Sequence, residues 1–285
     1  MKRCVMAVLM CTLMLPLTGQ VSYTREDSLR VEQLLAEVRS LPAGENRTLH
    51  LAKSFVGVPY VAATLEVGEH ECLVVNLREL DCTTFVETVL ALEMASRKPD
   101  AGFGEFAEAL RTLRYRQGVM AGYASRLHYF TDWIDDNTAL GLVEEVTGRE
   151  WPFIAVQTLC TDFMSRHPEK YKHLRGHPAR VDSIRKQESN LTGRKVRYIP
   201  KSLFKEGANR LPVRDGDVLA LTTNIRGLDV SHLGFAVWMD DGMLHLLNAS
   251  SRQGKVILDE HTLHHYSASL KSQTGMRVVR MKSDK

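Results

Sequence analysis

Asp81-Cys82-Thr83-Thr84-Phe85-Val86-Glu87 sets a cysteine where a helix should begin. Asp81 is a good N-cap, and Cys82, Phe85, Val86, Val89 and Leu90 recur at helical spacing. The stretch up to about Ser96 therefore reads as an amphipathic, half-buried helix. Unpaired N–H groups and the positive end of the helix dipole favour thiolate over thiol, so a lowered pKa is expected at Cys82, as a nucleophile requires. An Asp-Cys pair alone is more simply a small apolar residue on a buried face, since free cysteines are among the most buried residue types. The decision rests on what lies about 150 residues downstream.

There, Asp229-Val230-Ser231-His232-Leu233-Gly234-Phe235-Ala236-Val237-Trp238 reads as a strand rich in β-branched and aromatic residues. Met243-Leu244-His245-Leu246-Leu247-Asn248-Ala249-Ser250 follows through Asp240-Asp241-Gly242, a hairpin signal. Loop length decides whether His232 and Asn248 share a face. A two-residue loop would pair Asn248 with Phe235, on the face opposite His232. A three-residue loop with Gly242 left-handed pairs Met239 with Met243 and sets Asn248 opposite Gly234, on the His232 face. His232 and Asn248 are then diagonal neighbours, roughly 7 Å apart between backbones. An amide at that distance can orient an imidazole, and Gly234 leaves room beside it. Cys82, His232 and Asn248 thus form a candidate nucleophile, base and orienter.

These residues stand in an order that resembles the papain-like, NlpC-type cell-wall cysteine peptidases. The shared pattern is Gly57-Val58-Pro59-Tyr60, Asp81-Cys82, Gly216-Asp217-Val218, His232-Leu233-Gly234 and Asn248-Ala249-Ser250, spanning about residues 55 to 250. Two features depart from the general pattern: Asp-Cys-Thr-Thr stands where Asp-Cys-Ser-Gly is common, and about 130 residues separate the cysteine from the Gly-Asp strand. Those departures, together with Thr64-Leu65-Glu66 and Ser125-Arg126-Leu127-His128-Tyr129-Phe130-Thr131-Asp132-Trp133, look like the secreted N-acetylmuramoyl-L-alanine amidase-like branch. The resemblance implies a papain-like α+β fold with a large insertion. It also implies cleavage of the amide between the muramic lactyl group and L-alanine in peptidoglycan fragments, through an acyl-enzyme on Cys82. The Cys82 N–H would be one oxyanion donor, and the Tyr60 hydroxyl, by analogy with the superfamily's upstream tyrosine, a second.

Substrate-side candidates are Glu66, Ser125, Arg126, His128, Tyr129 and Trp133. Arg126 could pair with a peptide carboxylate, although an arginine in a polar loop is more often a structural ion pair. His128, Tyr129 and Trp133 could stack on a sugar, although such a cluster is at least as often core. Glu66 could take the new amino group or simply solvate a loop.

Met1-Lys2-Arg3 followed by an apolar run from Cys4 to Leu17 and then Thr18-Gly19-Gln20 reads as a signal peptide over residues 1–20, with a periplasmic or secreted product. The run falls short of the ~18 apolar residues of a membrane span. Removing Lys2 and Arg3 takes the net charge from +3 to +1, which gives no electrostatic case for nucleic acid. Three cysteines would remain, and sequence does not say whether Cys72 and Cys160 pair. The His261-Thr262-Leu263-His264-His265 cluster lacks Cys or acidic partners at ligand spacing, so it reads as a solvated surface rather than a metal site. No glycine-rich phosphate loop is present, and no cofactor is expected.

Residues 21–285 read as a single domain of about 265 residues. Helices are expected around Arg30–Val38, Asn46–Val56, Cys82–Ser96 and Phe103–Leu113, and strands around Val196–Ile199, Asp217–Leu221, the His232 hairpin, Val256–Leu258 and Met276–Met281. Helices first and antiparallel strands second indicate α+β. The polar, turn-rich stretch from Arg166 to Arg194 reads as a long surface excursion near the substrate groove. Competing functions are a stem-peptide endopeptidase cutting at the D-glutamyl linkage, an acyltransferase or lipid hydrolase, and a non-catalytic peptidoglycan-binding module. The last would not need all three of Cys82, His232 and Asn248.

Overall fold

The computed structural model describes residues 21–208 and 210–282, so the expected signal peptide lies outside the described residues. In chain order the elements are β1 (Val21–Ser22), α1 (Arg25–Arg39), α2 (Arg47–Lys53), β2 (Leu73–Val74), α3 (Cys82–Ser96) and α4 (Phe103–Arg114). Then come α5 (Phe130–Ala139), β3 (Val143–Val146), β4 (Ala155–Thr158), α6 (Phe163–Arg166), α7 (Pro178–Leu191) and β5 (Lys195–Pro200). The chain closes with β6 (Val218–Thr223), β7 (Val230–Trp238), β8 (Leu244–Ser250), β9 (Lys255–Thr262), α8 (Leu263–Ala268) and β10 (Gln273–Met281). The result is a mixed helical and antiparallel-sheet, α+β architecture. Among the described residues no helix is long and apolar enough to cross a membrane.

The main sheet has eight strands in the order β4-β5-β10-β6-β7-β8-β9, with β3 on β10. Its β6–β9 run is a meander whose side chains alternate between two cores. Leu233, Phe235 and Val237 of β7, with Leu247 and Ala249 of β8, face the helices and bury against Phe85, Val86, Val89 and Leu90 of α3. Phe85 meets Phe235 edge-on at 5.4 Å between ring centres. Each such fully buried aromatic or aliphatic side chain is worth roughly 1.5–3 kcal/mol, which anchors α3 on the hairpin. Ala236, Leu244 and Leu246 face the other way, onto Leu219, Leu221, Leu263, Met276 and Val278.

The hairpin takes the three-residue loop. Met239 N–H donates to Met243 O at 3.2 Å, Gly242 N–H donates to Met239 O at 2.9 Å, and Gly242 adopts φ +71°, which a side chain would resist.

The Arg166–Arg194 stretch differs from expectation. It follows directly on α6 and holds α7, which buries Val181, Ile184, Glu188 and Leu191 along one stripe. Val181, Ile184 and Leu191 join Tyr123, Tyr129, Leu159, Met164, Leu174 and Val196 in a third core inside the insertion. The excursion is a packed module, stabilised by a cluster too dispersed in sequence to show as one periodic run.

Candidate active site

Asp81 caps α3 reciprocally: its Oδ1 accepts the Thr84 N–H at 2.8 Å, and its own N–H donates to Thr84 Oγ1 at 2.9 Å. Such a cap contributes about 1 kcal/mol. It also makes Cys82 the first helical residue, on a helix that cannot rotate without exposing Phe85 and Val89. The half-buried Cys82 sulfur accepts from the Leu233 N–H and the Thr83 hydroxyl. Odd-numbered residues of β7 send their backbone groups towards β8, as Met239 does, and the paired register ends at Phe235–Leu247. Two residues beyond that pair, the Leu233 N–H is free to meet the sulfur.

The expected lowering of the thiol pKa is not found. Burial first, and then the Asp81 carboxylate, push Cys82 up to about 12. Loss of water and the acidic cap next door outweigh the donors that favour thiolate. At neutral pH Cys82 is a thiol.

His232 Nε2 lies 2.9 Å from Asn248 Oδ1. The Asn248 Nδ2 donates to Leu246 O at 3.4 Å, which turns the amide oxygen towards the ring. Because that oxygen can only accept, Nε2 carries the proton and Nδ1 keeps its lone pair. Burial lowers the His232 pKa below the usual imidazole value, while the Asn248 bond and the Asp81 charge pull the other way. The ring is neutral at pH 7. A Cβ on Gly234 would stand 2.8 Å from Leu247 O and 2.9 Å from Asn248 Cβ, so glycine alone allows the approach of the two strands at this point.

Gly57-Val58-Pro59-Tyr60 runs along β9. Gly57 N–H donates to Val256 O, Val256 N–H to Val58 O, and Tyr60 N–H to Gly254 O, at 2.9, 2.8 and 2.9 Å. The phenol is thereby held near the thiol. Burial first, and then the neighbouring Cys82 and Asp81, push its hydroxyl up to about 12, leaving a neutral O–H donor.

Cys82, Thr83 and His232 line a cavity of about 210 Å³ whose other walls include His128, Tyr129, Met164 and Tyr171 of the insertion. His128 donates from Nε2 to Tyr123 O at 2.9 Å; burial, then the Arg126 guanidinium, push it down to about 3. Tyr129 donates to Glu188 Oε1 at 2.7 Å. Four other expected substrate contacts lie elsewhere. Trp133 is fully buried and stacks on Phe130 at 4.9 Å, outside the cavity lining, because its face of α5 points into the helical core. Arg126 grips Glu71 with two hydrogen bonds of 3.0 and 2.9 Å and lies 4.8 Å above the Tyr123 ring; it is the structural ion pair rather than a free carboxylate receptor. Glu66 sits on the outer side of that pair, 3.4 Å from Arg126 and 3.8 Å from His173 Nε2. Ser125 closes a turn, donating to Gly122 O and accepting from Ala121 N–H. Cys72 and Cys160 are free thiols.

Three residues near the site carry no sequence signal. Asp229 accepts from Thr131 N–H at 2.6 Å and Val230 N–H at 2.9 Å, tying the start of β7 to α5 beside the cavity. Glu71 holds Arg126 and the Tyr115 hydroxyl. Tyr266, on the six-residue α8, lies 6.4 Å from the His232 ring.

Residues 50–276 match the protein family described as AmiA-like, N-acetylmuramoyl-L-alanine amidase-like. Among solved structures, an N-acetylmuramoyl-L-alanine amidase from Bacteroides uniformis ATCC 8492 is 41% identical, over 83% of this chain and 98% of that one, with a TM-score of 0.76. A Bacteroides fragilis protein described provisionally as a xylanase is 45% identical, over 81% of this chain and 100% of that one, also at 0.76. A Legionella pneumophila protein at 22% identity covers 91% of this chain and 96% of its own with a TM-score of 0.71, a likeness of fold alone. A search of curated proteins finds no match.

Proposed function

Since the chain belongs to the N-acetylmuramoyl-L-alanine amidase-like family, we propose that it hydrolyses the amide between the muramic lactyl group and L-alanine of peptidoglycan fragments, with Cys82 as nucleophile. The observation that carries the mechanism is the 2.9 Å contact between His232 Nε2 and Asn248 Oδ1. It leaves Nδ1 as the nitrogen able to take the thiol proton.

Thiol and imidazole are both neutral at rest, so proton transfer accompanies attack rather than preceding it. Cys82 Sγ bonds to the lactyl carbonyl carbon as His232 takes the proton. The tetrahedral oxyanion turns to the Cys82 N–H and the Tyr60 hydroxyl. Collapse breaks the C–N bond, and the imidazolium returns its proton to the departing L-alanine amine. Water, deprotonated by the same nitrogen, then hydrolyses the thioester. Asn248 holds the tautomer throughout, a role a neutral amide can fill for a cysteine nucleophile.

We read the arrangement as papain-like and NlpC-type, supported by the order of Tyr60, Cys82, His232 and Asn248 and by α3 packing on the strands of the base. We infer export to the periplasm or beyond, supported by the signal-like pattern of residues 1–20 and by the proposed substrate. The xylanase description of the Bacteroides fragilis relative invites a glycosidase reading, which needs two carboxylates flanking the bond. Asp229 is the one carboxylate lining the cavity among the described residues, and both of its oxygens accept backbone N–H groups. That argues for the amidase.

Mass spectrometry of defined muropeptides, incubated with wild type and Cys82→Ala, tests the proposal. Wild type alone should release a peptide beginning at L-alanine and an unsubstituted muramic sugar. Shorter peptides would move the assignment to a stem endopeptidase, and intact substrate in both samples would remove the catalytic reading.

A further inference from the structure

A second recess, of about 410 Å³, opens beside the imidazole and shares no lining residue with the first. Tyr266 joins it to the reacting centre: the phenol lines the recess together with Arg252, and its ring lies 6.4 Å from that of His232. Arg252 stands in the β8–β9 turn, two residues from Gly254, whose carbonyl holds Tyr60 beside the thiol. The turn is therefore built into the site rather than hanging free of it.

The basic side chains of the recess differ in how far they are committed. Arg252 touches only Ser269 Oγ, at 3.4 Å, and has no carboxylate partner among the described residues. His261 is stacked on His265 at 4.6 Å and lies 3.3 Å from Asp259. Asp259 is thus engaged by His261, and Glu260 is exposed on the neighbouring strand position. The recess is edged by hydroxyls, imidazoles and the carboxylates of Asp259 and Glu260, neither of which pairs with Arg252, so its guanidinium remains a receptor for an incoming carboxylate.

Direction and reach say which carboxylate. His232 must return its proton to the departing amine, so the stem peptide leaves over the imidazole, towards Tyr266. A chain extends about 3.3–3.6 Å per residue, so a group on the residue after L-alanine lies roughly 7 Å from the scissile nitrogen. That distance carries the carboxylate to the Tyr266 side of the imidazole, where the long Arg252 side chain lines the same recess as the phenol. We propose that Arg252 binds the free α-carboxylate of the D-glutamyl residue that follows L-alanine, making the enzyme selective for acidic over amidated stems. The inference rests on the amidase reading above.

Two muropeptides that differ only in carrying D-glutamate or its α-carboxamide provide the test, with steady-state constants for wild type, Arg252→Gln and Arg252→Lys. A lost charge-assisted pair is worth roughly 10- to 100-fold, so wild type should favour the acid by that factor, expressed in KM rather than kcat. Arg252→Gln should bring the acid down to the level of the amide and leave the amide unchanged, and Arg252→Lys should restore part of the preference. Equal losses on both substrates would mark Arg252 as structural, and a preference that survives Arg252→Gln would place its source elsewhere; either overturns the inference. So does a wild type that cleaves both substrates equally, with the amidase reading intact. Wild type that frees no L-alanine peptide from either fails the amidase reading itself.

Discussion

At Asn248 a single amide oxygen decides which imidazole nitrogen is available, and its removal separates orientation from mere presence of the base. Asn248→Ala deletes the contact to His232 Nε2 and leaves the ring free to turn or change tautomer. General-base catalysis supplies about 10²–10⁴-fold, so loss of its orientation should cost roughly 10- to 100-fold in kcat/KM. The pH profile gives an independent readout. His232 already lies below the usual imidazole value through burial, and the Asn248 bond is what partly raises it. In the proposed mechanism the base is active when neutral, so activity is lost as pH falls through this lowered pKa; without the bond the acid limb should move to still lower pH. An acid limb that stays put, with activity retained, would remove His232 from the mechanism. Cys82 carries the corresponding lesson about reading residues. Helix position argued for a low thiol pKa, but that rule omits the acidic cap itself and the water lost on burial, and these two push the thiol the other way.

The hairpin of β7 and β8 is the element on which the site depends, and Gly234 is its narrowest point. A methyl group there would meet Leu246 Cδ1 and Leu247 O at 2.8 Å and Asn248 Cβ at 2.9 Å. Backbone cannot yield as a side-chain end can, so Gly234→Ala should part the strands, destabilise by about 1–3 kcal/mol and lower activity along with Tm. A thermal melt beside the amidase assay checks both; an unchanged Tm with full activity would mean that the strands tolerate separation. This hairpin was legible because three local signals agree: period-2 alternation, a three-residue loop, and Gly at its left-handed position. The α3 start was legible through Asp81 and the apolar spacing behind it. By contrast α7 was not, since its buried stripe carries Glu188 among Val181, Ile184 and Leu191, and that glutamate earns its place only through Tyr129 and the Ser165 N–H, residues far away in sequence. Four-residue strands such as β3 and β4 are too short for periodicity to separate them from loop. Arg126 shows the same limit within the site: its residue type was right for a carboxylate, and only the fold revealed that Glu71 already occupies it.

On the scale of the molecule, the insertion closes one side of the cavity by packing a separate core over it, and the seam between the two holds neutral imidazoles. His128, His173 and His232 are each lowered, with burial the first cause in all three. His128 is the extreme case at about 3, with the Arg126 guanidinium adding to the burial. A folded pKa below the unfolded value of about 6.5 means that the unfolded chain binds the extra proton, so stability rises with pH and falls as pH drops below about 6.5. Each imidazole that stays neutral in the fold contributes up to about 1.4 kcal/mol per pH unit in that window. Urea unfolding between pH 7.5 and 5, above the range where most carboxylates titrate, should therefore show a midpoint that falls steadily with acid. In His128→Gln, which keeps a donor for Tyr123 O but cannot titrate, the slope should lose roughly one proton's share. A flat wild-type profile across this range would mean that the seam admits protons without opening. A steep profile in wild type that survives unchanged in His128→Gln would place the acid sensitivity at His173 and His232 rather than at His128.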